Sequence, residues 1–300
     1  MAYGLDRWLY PIVIDSTNNG IDFQEWDGAS YQNLSTSISA GTYYAHKDAT
    51  LTSAGYPSIY QAIQDAMDDA ASSSGVGNTY LIGLGTPSSS TLQTLGGILI
   101  DSTDDMKWST IGTINKTGVM GWLYNSGLSA GGSNVYSPYT ARGMWVTPLE
   151  AASKIAFTQK LITWSTEHTE RTDFYALARG DRSRRRFVYD YIPAAHVQLT
   201  RANALDYAQS GDLAQYDVYN AFEDVWQQLA LGRSVIVVHY APGATPSTTI
   251  VGAGYEVVRL DSSESAGDFG AVADMMLTAG ELYRLTVPCV IVDAGDYSGQ

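Results

Sequence analysis

The chain has 300 residues, a formal net charge of −14 and only 16% charged residues against 45% hydrophobic ones, among them 21 Tyr and 7 Trp. That apolar content supports a sizeable core and excludes intrinsic disorder as the main state. An excess of 31 acidic over 17 basic groups argues against a protein that neutralises nucleic-acid phosphates, and no apolar run reaches the ~18–20 residues of a membrane span.

The length predicts about two domains. A charged fraction below the usual ~25%, combined with abundant Tyr, Ser, Thr and Gly, suits a chain that lives in an assembly. Residues Met1 to Arg7 lack the basic and apolar regions of a signal peptide. The single cysteine, Cys289, leaves no intramolecular disulfide and no Cys-based zinc site. It reads as a buried strand residue of a protein that folds in a reducing cytoplasm.

Residues 1–140 read as a β-rich module with one helix. Ile12-Val-Ile14 is a short strand, and Asp15 to Gly20 is a turn that ends in Asn19-Gly20, the dipeptide of a type I′ hairpin. Ile21 to Trp26 alternates as a half-buried strand does. Asp27-Gly28 turns the chain again, and Tyr31 to Tyr44 continues in short strands broken at Ala40-Gly41. Over 57–71 the period changes. Pro57 suits a first helical position, and Ile59, Ile63, Ala66, Met67 and Ala70 form one apolar face, with Asp65, Asp68 and Asp69 on the solvent side. Tyr80 to Leu84, Ile98 to Ile100 and Val119 to Tyr124 are predicted strands. The Gly/Ser/Asn-rich stretch from Asn125 to Tyr139 marks the boundary. Of the 17 Lys and Arg, only Arg7, Lys47, Lys107 and Lys116 precede residue 141.

Residues 141–300 open with a strand at Met144 to Val146. Pro148 to Trp164 is mixed: Leu149, Ala152, Ile155 and Ala156 suit a short helix, while Phe157 to Trp164 suits a strand equally well. Arg185 to Ile192 is a strand ending at Pro193, and His196 to Arg201 alternates as another. The clearest helix is 217–231. Asp217 is its N-cap, Val218, Phe222, Val225, Trp226 and Leu229 are its apolar face, Gly232 is its stop, and Arg233 lies at its negative end. Strands follow at Val235 to Tyr240, Tyr255 to Leu260 and Leu282 to Val292, with Pro288 placing the last on an edge or splitting it. The fold class is α+β, predominantly β: β-sandwich or barrel domains, each flanked by one amphipathic helix.

No motif for chemistry emerges. The four histidines, His46, His168, His196 and His239, show no metal-ligand spacing. Gly127-Leu-Ser-Ala-Gly131 spells G-x-S-x-G around Ser129, but the Gly/Ser-rich residues after it cannot start the helix of a nucleophile elbow. Gly83-Leu-Gly85 lacks the rest of a dinucleotide fingerprint. The acids Asp101, Asp104 and Asp105 lack the glycine and terminal Glu of a calcium loop. No residue is therefore assigned a catalytic, cofactor-binding or metal-ligating role. The dense charge feature is Arg179, Arg182, Arg184, Arg185 and Arg186. It reads as a contact with an acidic neighbouring surface, with a nucleic-acid patch and a solvated loop as the other readings.

The run Ile14 to Glu25, then Ala40-Gly-Thr-Tyr-Tyr44, then Tyr60-Gln-Ala-Ile-Gln-Asp-Ala-Met67, resembles a module of tail proteins of tailed bacteriophages, over about residues 10–125. The second half resembles the tail-tube-like fold of tail-tube and distal tail proteins, a β-sandwich flanked by one helix. The resemblance implies a structural virion protein made in the host bacterial cytoplasm and located in the virion tail. It would be a ring-forming distal tail, baseplate or tail-tip subunit around the DNA channel. Its expected partners are further copies of itself in a hexameric homo-oligomer and other tail proteins, without membrane contact or sequence-specific nucleic-acid binding, and it would need no cofactor. A head–tail connector or receptor-binding tail component is the alternative within that class. A carbohydrate-active enzyme or glycan-binding module is the alternative outside it.

Overall fold

The computed structural model describes residues 6–84, 98–107, 134–136, 143–147, 152–158, 184–197, 221–239, 254–261, 269–277 and 282–294. Four strands and a short fifth open the chain: β1 (Asp6–Leu9), β2 (Ile12–Ile14), β3 (Gly20–Trp26), β4 (Tyr31–Ser37) and β5 (Gly41–Tyr43). Two helices follow, α1 (Ala49–Ser53) and α2 (Ile59–Ser74), then β6 (Tyr80–Leu84), β7 (Ile98–Ser102), β8 (Met106–Lys107) and β9 (Asn134–Tyr136). The second half contains β10 (Met144–Val146), β11 (Ala152–Thr158), β12 (Arg184–Pro193), α3 (Ala194–Val197), α4 (Phe222–Ala230), β13 (Val235–His239), β14 (Tyr255–Leu260), β15 (Ala273–Leu277) and β16 (Leu282–Ala294). The described protein is mostly β, and every ladder between its strands is antiparallel.

The largest sheet is open and runs β10-β1-β13-β14-β16-β12-β11, with β15 also paired to β16. Its second strand comes from the N-terminus, so the sheet crosses the compositional boundary near residue 140. Because successive strand residues point to opposite faces, β1 feeds two cores. Leu9, Met144, Ile236, Val238 and Val257 face a core completed by α2 and the small sheets of the first half. Trp8, Trp145, Phe187, Val237, Val258 and Leu285 face a second core under α4.

The hairpin expected at Asn19-Gly20 does not form. Asp15 caps a turn of its own, accepting from the Thr17 amide at 2.7 Å, while the Asn18 side chain bonds Val13 and Asp15. This Asx turn sends the chain into a different sheet. Thus β2 pairs with β5, and β3 pairs with β4 across Asp27–Ser30. There Gly28 supplies φ +94 and the Asp27 carboxylate accepts from the amides of Ala29 and Ser30.

Helix α2 follows its apolar period but is capped by Ser58, whose Oγ accepts from the Gln61 amide; Pro57 stands just outside. Gly75 ends it in the left-handed conformation. Asp65 and Asp69 are exposed, but Asp68 is not simply solvated. Its carboxylate accepts from the Tyr80 amide at 2.6 Å, and the Gln64 side-chain Oε1 from the Ile82 amide at 3.0 Å. The helix thereby satisfies two amides of β6. Helix α1, capped by Asp48, has no counterpart in the sequence reading.

Three expectations in the second half are corrected. The mixed segment is strand over 152–158, paired with β12. His196 belongs to the short helix α3 rather than to an alternating strand, because the chain turns off the sheet after Pro193. The long helix begins at Phe222 with Ala221 as its N-cap, so Asp217 does not cap it; 217–220 lie outside the described residues. Its face of Phe222, Val225, Trp226 and Leu229 is buried as the period requires. Glu223 and Asp224 supply negative charge to its first turn. The predicted strand 119–124 also lies outside the described residues.

Pro288 occupies an interior strand. Its carbonyl accepts from the Asp261 amide just past the end of β14, while β15 takes over pairing from Leu285 downward. The missing N–H therefore falls at the junction where β16 exchanges one partner for another on that side, so only the bond returned to Asp261 is forgone there.

Two substitutions test this architecture. Gly143, at φ +89, would place a Cβ 2.5 Å from Ile12 Cδ1 and 2.7 Å from Ile12 Cγ1 inside the core. Gly143→Ala is expected to lower unfolding free energy by roughly 1–3 kcal/mol in denaturant titration. Trp226, 4% exposed, is expected to cost about 3–5 kcal/mol when replaced by Ala; a variant as stable as the parent would contradict the packing of α4 on the sheet.

Candidate functional site

Among the described residues, a dense buried polar cluster lies at the end of the α4-side face of the large sheet. Antiparallel register puts Asp6 of β1 opposite His239 of β13, and Glu256 and Arg185 come from β14 and β12. The Asp6 carboxylate accepts from the Tyr189 hydroxyl at 2.7 Å through one oxygen and contacts His239 Nδ1 at 2.9 Å through the other. The Trp8 indole N–H donates to the same Tyr189 hydroxyl at 3.0 Å. On the far side of the imidazole, Glu256 approaches Nε2 at 3.8 Å and accepts from Arg185 Nε at 3.0 Å. The Phe187 ring stacks on the imidazole with an interplanar angle of 15°.

These contacts set the protonation states. Burial by itself would push the His239 imidazole down. The hydrogen bond to Asp6 and the charges of Asp6 and Glu256 outweigh it and lift the ring from 6.5 to about 9. Burial would raise Glu256, but His239 and Arg185 hold it below its ordinary value. Burial, reinforced by Asp6, pushes Tyr189 well above its ordinary value. Near neutral pH the cluster is thus an imidazolium between two carboxylates, with a protonated phenol beside it. What it does is hold β1 in the sheet: the Asp6 carbonyl also accepts from the amide and hydroxyl of Thr147 at 3.0 and 3.1 Å.

The other residues weighed in the sequence resolve as follows. His46 is fully buried. Its Nε2–H donates to the Tyr56 carbonyl at 2.8 Å and its Nδ1 accepts from the Asp48 amide at 3.0 Å, so both ring nitrogens are used in loop structure. Burial pushes it down, toward the neutral form. Burial likewise pushes the Cys289 thiol well above its ordinary value, with Glu256 and Asp261 adding to the effect. Ser129, His168, Arg179 and Arg182 lie outside the described residues. Among the described residues, no group of three or more His, Cys, Asp or Glu is arranged to hold a metal ion, and no helix is long and apolar enough to cross a membrane.

The arginine run is divided by the strand. Arg185 points to the α4 side and joins Glu256. Arg184 points to the opposite face, where Nε contacts Asp261 at 3.1 Å. Two of the five arginines first read as a contact for a neighbouring acidic surface are therefore paired within the chain. Arg186 is exposed on the same face as Arg184. Asp6, Glu256 and Asp261 carry no local signature, and only the sheet register unites them with residues more than 70 positions away in the chain.

Comparison with known proteins finds no matching family model, no matching curated protein and no matching solved structure.

The cluster makes stability depend on pH with a definite sign. His239 is raised in the fold, so its contribution is fully present below the unfolded value near 6.5 and is lost as pH rises through about 9. Denaturant midpoints measured from pH 6 to 10 are expected to fall more steeply for the wild type than for His239→Gln. The difference should be on the order of 3 kcal/mol. Parallel curves for the two proteins would contradict the ion-paired imidazolium.

Proposed function

We propose that this chain is a structural protein of the virion tail of a tailed bacteriophage, a ring-forming distal tail, baseplate or tail-tip subunit placed around the DNA channel. The observation that carries the reading is the order β2, hairpin β3–β4, β5 and α2, packed on one face of a broad antiparallel sheet whose other face carries α4. In that module a strand, a hairpin, a second strand and a helix recur in this order; here the hairpin turns at Asp27–Ser30 rather than at Asn19-Gly20. The sheet with its one helix suits the tail-tube-like sandwich that the second half resembles.

Composition supports the same reading. Low charge and many Tyr and Trp favour large protein–protein contacts. A net charge of −14 suits a channel wall along which DNA slides without binding. The polar cluster around His239 fits a subunit whose buried charges stabilise its fold rather than a reaction.

Sedimentation velocity of the purified chain at micromolar concentration, alone and mixed with tail proteins, is expected to show oligomers burying more than the ~1,600 Å² of a standard interface. Electron microscopy of the same samples is expected to show rings. A monomer under every condition, or hydrolysis of a glycan by the pure chain, would overturn the proposal. Labelling at the head–tail junction of particles would move the subunit to the connector.

A further inference from the structure

A second buried carboxyl, in the first half, has surroundings opposite to those of Glu256. Glu25 of β3 is fully buried, on the face of the strand that carries Ile21 and Phe23 into the first-half core. The Tyr80 hydroxyl of β6 donates to its Oε1, and the Tyr80 ring meets Phe23 edge-on at 5.6 Å. Oε2 of Glu25 is buried and has no hydrogen-bond partner. The backbone amide of the same tyrosine donates to Asp68 of α2 at 2.6 Å. Tyr80 thus joins three elements through two carboxyls, β3 by its phenol and α2 by its main chain. The charged groups that act on Glu25 are Asp104, from the turn between β7 and β8, and Asp68 from α2. Both are acids. Its register partners, Gln32 of β4 and Met106 of β8, carry no charge, and Asn78 and Ser102 beside the phenol are neutral. Lys47 acts on Asp65 and Asp68 instead. Where Glu256 has an imidazolium and a guanidinium, Glu25 has one phenol and two like charges.

We propose that Glu25 is a proton-binding site that fastens β3 to β6 and α2 more firmly in weakly acidic solution than near neutrality. The inference is independent of the assembly reading. A buried carboxylate without a countercharge is costly, and one oxygen without a donor adds to that cost. Protonation removes the charge while Oε1 still accepts from the Tyr80 hydroxyl, so the joint stays formed and its cost falls. Burial pushes the Glu25 carboxyl above its ordinary value, Asp104 and Asp68 push it further, and the Tyr80 hydrogen bond opposes them in part. The sign follows from linkage. The folded chain binds this proton more readily than the unfolded chain, so stability rises as pH falls through the raised value and levels off below the ordinary glutamate range. Asp68 is also raised by burial, with Lys47 offsetting part of the effect, so the two carboxyls act in the same direction and a variant of each separates them.

Hydrogen exchange read by mass spectrometry on the full-length chain, corrected for the intrinsic pH dependence of exchange, tests this. Protection of β3 and β6 in the wild type is expected to increase several-fold between pH 8 and pH 5. E25Q keeps an oxygen for the Tyr80 hydroxyl and carries no charge. It is expected to exceed the wild type in protection at pH 8 and to show no such increase. D68N is expected to retain a reduced increase. Y80F, which removes the donor to Glu25, is expected to move the increase to higher pH. Wild-type protection that stays constant, or an increase of the same size in E25Q, overturns the proposal. An increase abolished by D68N and kept by E25Q assigns the proton to Asp68 and overturns it as well. Should E25Q fail to fold, the carboxyl carbon resonance of Glu25 in the wild type decides: titration above the ordinary glutamate range supports the site, and titration within or below it overturns the site. Protection at pH 8 that millimolar Ca²⁺ raises in the wild type but not in E25Q would assign the buried charge to a metal ion and overturn the proton site.

Discussion

The insertion of β1 between β10 and β13 is the constraint on which the rest of the described structure depends. All four of its residues are buried. Trp8 meets Phe187 and Phe222 edge-on at 4.9 and 5.6 Å beneath α4. Leu9 enters the opposite core with Ile236 and Val238. Fully buried Arg7 lies close enough to Tyr60 of α2 for its charge to offset part of the rise that burial imposes on that phenol. Asp6 ties the strand to His239, Tyr189 and Thr147. A four-residue strand has few ladder bonds, and burial on both faces together with a charged anchor at its end compensates for that brevity.

The same arrangement explains what was legible in the sequence. Helix α2 was readable because its apolar residues recur at helical spacing before Gly75, all within one local stretch, although its cap is Ser58 and not the expected start at Pro57. The strands β6, β12 and β14 were readable for the same reason. Asn19-Gly20 misled because Asp15 and Asn18 form a competing turn, and Asn19 instead bridges to the Ile38 backbone. Pro288 misled because a proline rule for single partners does not anticipate a strand whose neighbour changes at that residue. The alternation of His196 to Arg201 was a true pattern, overridden at its start by the turn after Pro193.

The polar cluster was not legible, and the cause is physical. Its members come from strands that are adjacent only after the sheet is assembled, so no spacing rule connects Asp6 with Glu256. The arginine run illustrates the complementary limit. Five cations close together in sequence suggested one patch, but strand alternation sends Arg184 and Arg185 to opposite faces. There they meet different carboxylates, Asp261 and Glu256. The clustering seen along the chain is divided between a buried network and an exposed face.

The pairing of β1 with β13 also bears on how the molecule comes to exist. Asp6 and His239 are 233 positions apart, so β1 meets β13 only long after its other partner, β10, has been synthesised. Loop closure over such a span is entropically slow, and non-local antiparallel ladders are late events in folding. Until then the edge of β1 that pairs with β13, and the matching edge of β13, remain exposed to other nascent copies. A chain with this topology is therefore most vulnerable to misassociation before its own first strand has docked.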